Sequence, residues 1–197
     1  MSVSRQSAPA RSRESTRGRL LTSGVRLFAQ RGLNGVTTHD IARQAGVASG
    51  TFYLHFPDKS ALFREIASDT EAQLRVCIEE ASTHSADLRG GVRAQVEALF
   101  DFASQNRDTI RILFGQDAGT AGSQLLDAFA TSIAEGRRHA IAMGEMPSEI
   151  DAAVLSQALV GMLSRVLLWW IEDPDPIARA TAIETLTRIL LSGTHPA

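Results

Sequence analysis

Residues 48–51, which are Ala, Ser, Gly and Thr, form a run of small side chains within the stretch AGVASGTFYLHF (residues 45–56). Their hydroxyl groups can donate and accept hydrogen bonds, and their small size lets a backbone come close to another surface. The aromatic residues Phe52 and Phe56 follow at a spacing that places both on one side of a helix. The pattern predicts a helix of about two turns, anchored by its aromatic side and offering a trimmed, hydrogen-bonding side to a partner.

The charge of the chain is unevenly distributed and indicates what that partner is. Residues 1–60 contain nine Arg and Lys residues against three Asp and Glu residues, a net charge of +6, whereas residues 61–197 contain eleven against nineteen, a net charge of −8. A basic N-terminal part on an acidic remainder indicates that the N-terminal part alone meets a polyanion.

A helix start and a sharp turn precede the small residues. Thr37 can cap a helix while Asp40 returns the bond three residues later, which is a capping box. Gly46 can take the left-handed conformation that a sharp turn requires. A helix, a short turn with Gly and a second short helix at residues 48–54 form the helix-turn-helix pattern. Its second helix enters the DNA major groove and touches base edges.

Apolar residues at helical spacing continue through the rest of the chain, and there is no strand-like alternation of useful length. Asp58 predicts the cap of a long fourth helix that begins in the N-terminal part and ends in the C-terminal part. Ser148 and Asp175 predict the caps of the last two helices. The helices expected after the fourth are at residues 86–106, 108–114, 120–143, 148–172 and 175–191.

The predicted fold class is therefore all-α. A three-helix helix-turn-helix DNA-binding domain is joined by helix 4 to a C-terminal helical domain for ligand binding and dimerisation. The expected divisions are a flexible Arg-rich arm at residues 1–14, the DNA-binding domain at 15–58 and the helical domain at 59–197.

Composition excludes several other classes of protein. Cys77 is the only cysteine, so no intramolecular disulfide is possible and a reducing, cytoplasmic location is expected. The Arg-rich N-terminus lacks the apolar segment of a secretory signal. The apolar stretch 150–171 contains residues that are costly in a bilayer, which predicts a buried helix and no membrane partner: Asp151, Gln157 and Arg165.

No catalytic chemistry is indicated either. The sequence offers no convincing nucleophile and base and no phosphate-binding loop, so we expect no enzyme and no cofactor. Four histidines lack metal-ligand spacing and are interpreted as ordinary surface residues, so no metal is expected: His39, His84, His139 and His195.

Residues 35–63, GVTTHDIARQAGVASGTFYLHFPDKSALF, resemble the DNA-binding signature of the tetracycline-repressor-like (TetR) family of bacterial transcriptional regulators. Many positions agree at fixed spacing, whereas the helical remainder matches the family only in length and order. The resemblance implies a homodimer that represses a promoter and releases it when a small molecule enters the C-terminal domain.

The same resemblance implies roles for individual residues. Thr38 would bind a phosphate, while Tyr53, His55 and Lys59 would clamp the DNA backbone without reading sequence. Leu54 departs from many relatives, which puts a phosphate contact there in doubt. The residues implied to approach the bases are Ala48, beside a thymine methyl, and Ser49, Gly50 and Thr51.

The N-terminal arginines allow two interpretations. They form an arm that adds phosphate or minor-groove contacts, or they form a disordered, solubilising tail. The residues concerned are Arg5, Arg11, Arg13, Arg17 and Arg19.

The C-terminal part must contain any effector site, and its bulky apolar side chains suit a cavity between helices. Arg165 could meet an anionic ligand, pair with an acidic neighbour or lie at a dimer seam. The candidate ligand-binding residues are Phe100, Phe114, Phe129, Met162, Arg165 and Trp169.

Two copies reading a palindromic operator are expected to associate through the last two helices. Ala158 and Gly161 permit close approach on one helix, and Ile183, Leu186 and Leu190 give the other an apolar stripe. The alternative to a ligand-responsive repressor is a ligand-independent DNA-binding regulator or activator with no effector pocket.

Overall fold

The computed structural model describes residues 8–83, 87–115, 119–144, 149–173, 175 and 177–192. Every regular element within these ranges is a helix, which confirms the all-α fold class. The helices are α1 (Ala8–Arg31), α2 (Thr38–Gln44), α3 (Ser49–Tyr53), α4 (Lys59–Ser82), α5 (Leu88–Gln105), α6 (Arg107–Phe114), α7 (Gly119–Ala142), α8 (Ala152–Glu172) and α9 (Arg179–Ser192). Several residues singled out in the sequence lie outside the described ranges: Arg5, His84, Ser148 and His195.

The chain divides into two compact units, Met1–Ala67 and Ser68–Ala197. The division lies inside α4 and later than the boundary expected at residue 58. Leu62, Phe63 and Ile66, on the first turns of α4, are each at most 5% exposed. Because these side chains belong to the core of the N-terminal unit, the start of α4 belongs to that unit as well.

Aromatic packing holds the N-terminal unit together. The rings of Phe28 on α1 and Phe63 on α4 meet edge to face with centroids 5.8 Å apart. A Cβ at Gly24 would lie 2.5 Å from Leu62 Cδ2, so α1 and α4 approach closely there. Phe52 is fully buried and its ring centroid lies 5.8 Å from that of Phe56. These contacts confirm that aromatic residues anchor the short third helix.

The described part of the expected flexible arm is helical. Helix α1 begins at Ala8, so residues 8–14 are helical. The alanines and arginines at its start are strong helix formers, and the helix continues from them without a break.

The C-terminal unit is built around α5, α8 and α9. Helix α5 packs against both α8 and α9, while α6 and α7 cover α8. The rings of Phe100 on α5 and Trp170 on α8 meet edge to face with centroids 5.0 Å apart. Arg93 Nη1 pairs with Glu184 Oε2 at 3.0 Å and connects α5 to α9 at the surface.

Two predicted helix starts were wrong. The N-cap of α8 is Asp151, whose carboxylate accepts hydrogen bonds from the backbone N–H groups of Ala153 and Val154. Helix α9 begins at Arg179 instead of Asp175. The backbone N–H of Asp175 donates to Asp173 Oδ1 at 3.0 Å, a local turn that competes with helix formation there.

Helix α8 was expected to be buried and is buried on one face only. Of the described helices it alone is long and apolar enough to cross a membrane by length and composition, and 28% of that window is buried. Val154 is 69% and Trp169 44% exposed. A one-sided apolar helix of this kind belongs to a surface that another chain can cover.

The stripe predicted on α9 faces inward. Ile183 and Leu186 are 2% and 3% exposed and belong to the core cluster of the C-terminal unit, with Leu190 packed against it. Because α9 packs on α5, these residues are buried in the core of their own chain and are not exposed for contact with a second copy.

Candidate DNA-binding site

The turn between α2 and α3 is closed by backbone hydrogen bonds. Gly46 has a φ of +66°. Its N–H donates to the carbonyl of Arg43 at 3.1 Å, and the N–H of Val47 donates to the carbonyl of Ala42 at 3.0 Å. This pair of bonds is a Schellman motif, which ends α2 abruptly and redirects the chain into α3. Gly46 therefore has the role that the sequence predicted.

An arginine of α1 holds the same turn from outside. Arg19 Nη2 donates to the carbonyl of Ala45 and, at 3.1 Å, to that of Gly46. A Cβ at Gly46 would lie 2.9 Å from Arg19 Nη2, so the guanidinium also depends on the missing side chain. Arg19 is thus committed to the helix-turn-helix turn.

Arg13 and Arg17 also make contacts inside the N-terminal unit. Arg17 pairs with Glu65 on α4, and its guanidinium carbon lies 5.3 Å from the ring centroid of Phe56. Arg13 Nη2 donates to the carbonyl of Leu54 at 3.4 Å. These residues were predicted to form an arm, and the structure instead uses them to join α1 to its neighbours. Arg5 and the side chain of Arg11 lie outside what the structure describes.

Helix α3 has an inner aromatic side and an open outer side. Ala48 and Gly50 are exposed, and Ser49 and Thr51 are half-buried. A Cβ at Gly50 would have no heavy atom within 4 Å. All four small residues are therefore at least partly accessible, and their base contacts stay a prediction.

Two side-chain hydrogen bonds tie the start of α2 to α3. Thr38 Oγ1 and Tyr53 Oη are 2.9 Å apart. His39 Nδ1 and Ser49 Oγ are 2.7 Å apart. The structure thus brings together Thr38 and Tyr53, two of the residues expected to contact phosphates. It also pairs Ser49, which was expected to contact a base, with His39.

His39 was interpreted from the sequence as an ordinary surface residue. A signal was present, because position 39 follows a strong helix start and stands ten residues before Ser49 across a turn of fixed geometry. Pattern reading misses such a pair because neither residue is unusual by itself.

Lys59 makes two hydrogen bonds within the protein. Its Nζ donates to the carbonyl of Leu33 at 2.8 Å and to that of Val36 at 2.9 Å. The ammonium therefore ties the connection between α1 and α2 to the start of α4. The third N–H of the ammonium remains for a phosphate. If Lys59 clamps the DNA backbone, it does so while it also holds these two carbonyls. His55, which was also expected to contact the DNA backbone, is half-buried just after α3.

The capping box at the start of α2 is present as predicted. The backbone N–H of Thr37 donates to Asp40 Oδ2 at 3.1 Å, and the backbone N–H of Asp40 donates to Thr37 Oγ1 at 3.1 Å. Thr37 Oγ1 also donates to Asp40 Oδ2 at 2.6 Å. The hydrogen bonds from Thr37, followed by the charge of nearby Arg43, hold the pKa of Asp40 below its ordinary value of 3.8. The helix that carries Thr38 and His39 is thereby fixed at its first turn.

The C-terminal unit contains a cavity of about 70 Å³. Two of the candidate ligand-binding residues, Phe114 and Phe129, line it, and a ligand there stays a prediction. Of the other candidates, Phe100 and Met162 lie in or against the core cluster, while Arg165 and Trp169 are exposed, so these four do not line the cavity. The remaining lining residues are Leu74, Ile78, Leu99, Ile110, Leu126, Ile133, Val160, Leu163, Ser164 and Leu167.

Sequence relatives share the N-terminal unit and most of the chain. Residues 20–66 match the family model of bacterial regulatory proteins, tetR family. The HTH-type transcriptional regulator YdgC of Bacillus subtilis is 28% identical over 171 residues, which cover 83% of this chain and 87% of YdgC. The HTH-type transcriptional activator FasR of Mycolicibacterium smegmatis is 25% identical, with 92% and 84% covered.

Solved structures share the fold over nearly the whole chain. A TetR-family transcriptional regulator from Syntrophomonas wolfei superposes with a TM-score of 0.77 at 19% identity, covering 91% of this chain and 94% of the other. FadR from Bacillus subtilis, solved in complex with stearoyl-CoA, gives a TM-score of 0.74 at 17% identity, covering 90% and 99%. With its helix-turn-helix and these relatives, the chain belongs to the tetR family of bacterial regulatory proteins and is a non-enzymatic DNA-binding transcriptional regulator.

Proposed function

We propose that the protein is a cytoplasmic, homodimeric repressor that releases a palindromic operator when an apolar small molecule enters the cavity of its C-terminal unit. The observation that carries the proposal is the cavity itself, since the side chains that line it, from α4 to α8, are apolar except for Ser164. DNA binding belongs to the family, whereas the dimer, the effector and the direction of regulation are specific to this proposal.

The exposed stripe of α8 supports a homodimer. Val154, Ala158, Gly161, Arg165 and Trp169 are exposed and recur at intervals of three or four residues, so they share one face. A Cβ at Gly161 would have no heavy atom within 4 Å. This face is small and apolar at its middle, which allows two copies of α8 to approach closely around a twofold axis.

The effector that we propose carries a hydrocarbon chain. The B. subtilis FadR structure was solved with stearoyl-CoA, and the cavity of this chain offers mainly Leu, Ile, Val and Phe side chains. At about 70 Å³ the cavity is smaller than the roughly 300 Å³ of a small ligand pocket. Binding must therefore displace lining side chains, and a ligand that favours the widened state shifts the protein toward it.

Helix α4 is the element that would carry this shift to the DNA. Its first turns hold Leu62 and Phe63 in the N-terminal core, and its later residues Leu74 and Ile78 line the cavity. In the proposal, widening the cavity moves α4 and changes the spacing of the two recognition helices in the dimer. Both can then no longer occupy half-sites about one helical turn apart.

The test uses an operator selected from random DNA and a series of fatty acyl-CoA thioesters and free fatty acids. The wild type should release the operator in the presence of at least one chain length. Val160→Phe, which fills the cavity, should bind the operator normally and lose the response. Val76→Phe, the same change at a 45% exposed position on α4, is the matched control and should respond like the wild type.

Activation is the second candidate, because the relative FasR is an activator. A reporter placed behind the selected operator separates the two directions. Deletion of the regulator should raise expression for a repressor and lower it for an activator. If no compound of the series changes operator affinity and Val160→Phe behaves like the wild type, the regulator is ligand-independent and the effector proposal fails.

A further inference from the structure

The hydrogen bond between His39 and Ser49 connects the start of α2 to the first residue of the recognition helix. Ser49 follows the N-cap Ala48, which makes no side-chain capping bond, so the Ser49 hydroxyl is not used to cap its own helix. Its partner is His39 Nδ1 at 2.7 Å. A hydroxyl otherwise rotates freely among staggered positions, and this bond selects one of them.

We propose that His39 is a positioning residue that determines base preference by fixing the direction and the hydrogen-bonding polarity of the Ser49 hydroxyl. A serine hydroxyl carries one proton. When Nδ1 accepts that proton, Ser49 Oγ can only accept a further hydrogen bond. When Nδ1 carries its own proton and donates, the Ser49 proton is free for another acceptor.

The two arrangements pair with different atoms on the base edges in the major groove. An accepting Oγ pairs with the exocyclic amino group of adenine or cytosine. A donating hydroxyl pairs with O6 or N7 of guanine, N7 of adenine or O4 of thymine. Which ring nitrogen of His39 carries the proton therefore determines whether Ser49 pairs with a donor or with an acceptor on the base edge.

The position of His39 favours the accepting arrangement. The side chain is exposed, and no described residue bonds to Nε2. It follows Thr38 at the start of α2, where the DNA backbone is expected, and phosphate oxygens only accept hydrogen bonds. The His39 tautomer that donates Nε2–H to phosphate or water keeps the lone pair on Nδ1 for the Ser49 proton.

The experiment is selection of half-sites from a randomised library with the full-length protein, followed by affinity measurements on the selected operator and its single-base variants. The wild type should prefer adenine or cytosine at one position in each half-site by about 2- to 12-fold, the range of one hydrogen bond. Ser49→Ala and His39→Ala should each flatten that preference, and the double variant should lose no more than either one alone.

Two further variants separate positioning from other roles. His39→Asn places an amide oxygen near the Nδ1 position and should restore much of the preference. His55→Ala, the matched histidine control, should weaken all sequences equally and leave the preference unchanged. Thermal unfolding of each variant identifies losses caused by misfolding of the N-terminal unit.

The proposal is overturned if His39→Ala keeps the wild-type preference at every position, or if its effect adds fully to that of Ser49→Ala. A guanine or thymine preference at the Ser49 position would overturn the accepting arrangement. These outcomes do not depend on an effector, so they are distinguishable from failure of the proposed ligand response.

Discussion

At the scale of single residues, Gly50 lowers the stability of the recognition helix but leaves room for DNA to approach its backbone. It lies inside α3, where glycine costs about 0.5–1 kcal/mol relative to alanine. It is exposed, and among the described residues no heavy atom lies within 4 Å of where its Cβ would be. The protein's own packing therefore does not require a glycine at this position, which leaves close approach to DNA as its physical reason.

Gly50→Ala should raise the free energy of unfolding of the N-terminal unit by about 0.5–1 kcal/mol and weaken operator binding about tenfold or more. The added Cβ favours the helix and occupies space at the DNA surface. Thermal unfolding and fluorescence anisotropy measure the two effects. Gly136→Ala on α7, also exposed and uncrowded, should add stability without changing affinity. Equal affinity of Gly50→Ala and the wild type would contradict the assignment.

Asp40 predicts a dependence of stability on pH. Its pKa is lowered in the folded protein by the hydrogen bonds of Thr37. A carboxyl with a lowered pKa stabilises the fold fully above its unfolded pKa and loses that contribution as pH falls through the folded pKa. The free energy of unfolding should therefore decrease below about pH 4. Asp40→Asn should be less stable near neutral pH, and its free energy of unfolding, measured by urea titration, should fall less steeply below about pH 4. An unchanged pH dependence in the variant would mean that the capping box is not its origin.

At the scale of elements, long cationic side chains from other helices of the N-terminal unit bond the free backbone carbonyls that follow its short helices. The last carbonyl groups of a helix have no partner within that helix. Arg19 bonds carbonyls after α2 and Arg13 bonds the carbonyl after α3, while Lys59 bonds two carbonyls of the connection between α1 and α2. Part of the positive charge of this region is therefore structural.

Arg19→Ala should lower the free energy of unfolding by roughly 1–2 kcal/mol, since the carbonyls of Ala45 and Gly46 lose a charged donor. Operator affinity should fall because the turn that orients α3 loosens. Arg26→Ala, at an exposed position on α1, removes the same charge and should leave stability unchanged. A phosphate-binding role for Arg19 predicts weaker DNA binding as well, but with unchanged thermal unfolding, so the unfolding measurement separates the two.

At the scale of the whole molecule, the distribution of apolar surface on the last two helices points to one face for self-association. The inward side of α9 is used by the core cluster, whereas α8 keeps an exposed stripe that includes Val154 and Trp169. Palindromic DNA sites are read by two recognition helices related by a twofold axis, so in the proposed dimer this stripe would set how the two helices are held for operator binding.

Gly161→Arg should convert the proposed dimer into a monomer and abolish high-affinity operator binding while the fold is kept, because the Cβ position is open within one chain. Light scattering coupled to size-exclusion chromatography measures the assembly, and circular dichroism measures the fold. Gly136→Arg makes the same change on α7 and should stay dimeric. A dimeric Gly161→Arg protein would place the interface elsewhere.

The sequence by itself determined the features that depend on neighbours a few residues apart. These are the capping box of Thr37 and Asp40, the turn at Gly46 and the aromatic anchor of α3, and together they indicated the family. Only the tertiary structure decided that Arg17 pairs with Glu65, that Lys59 bonds two backbone carbonyls, and which side of α9 is buried. Caps and turns are local, whereas a long side chain or an apolar face finds its partner only after packing has fixed which carbonyls and surfaces remain open.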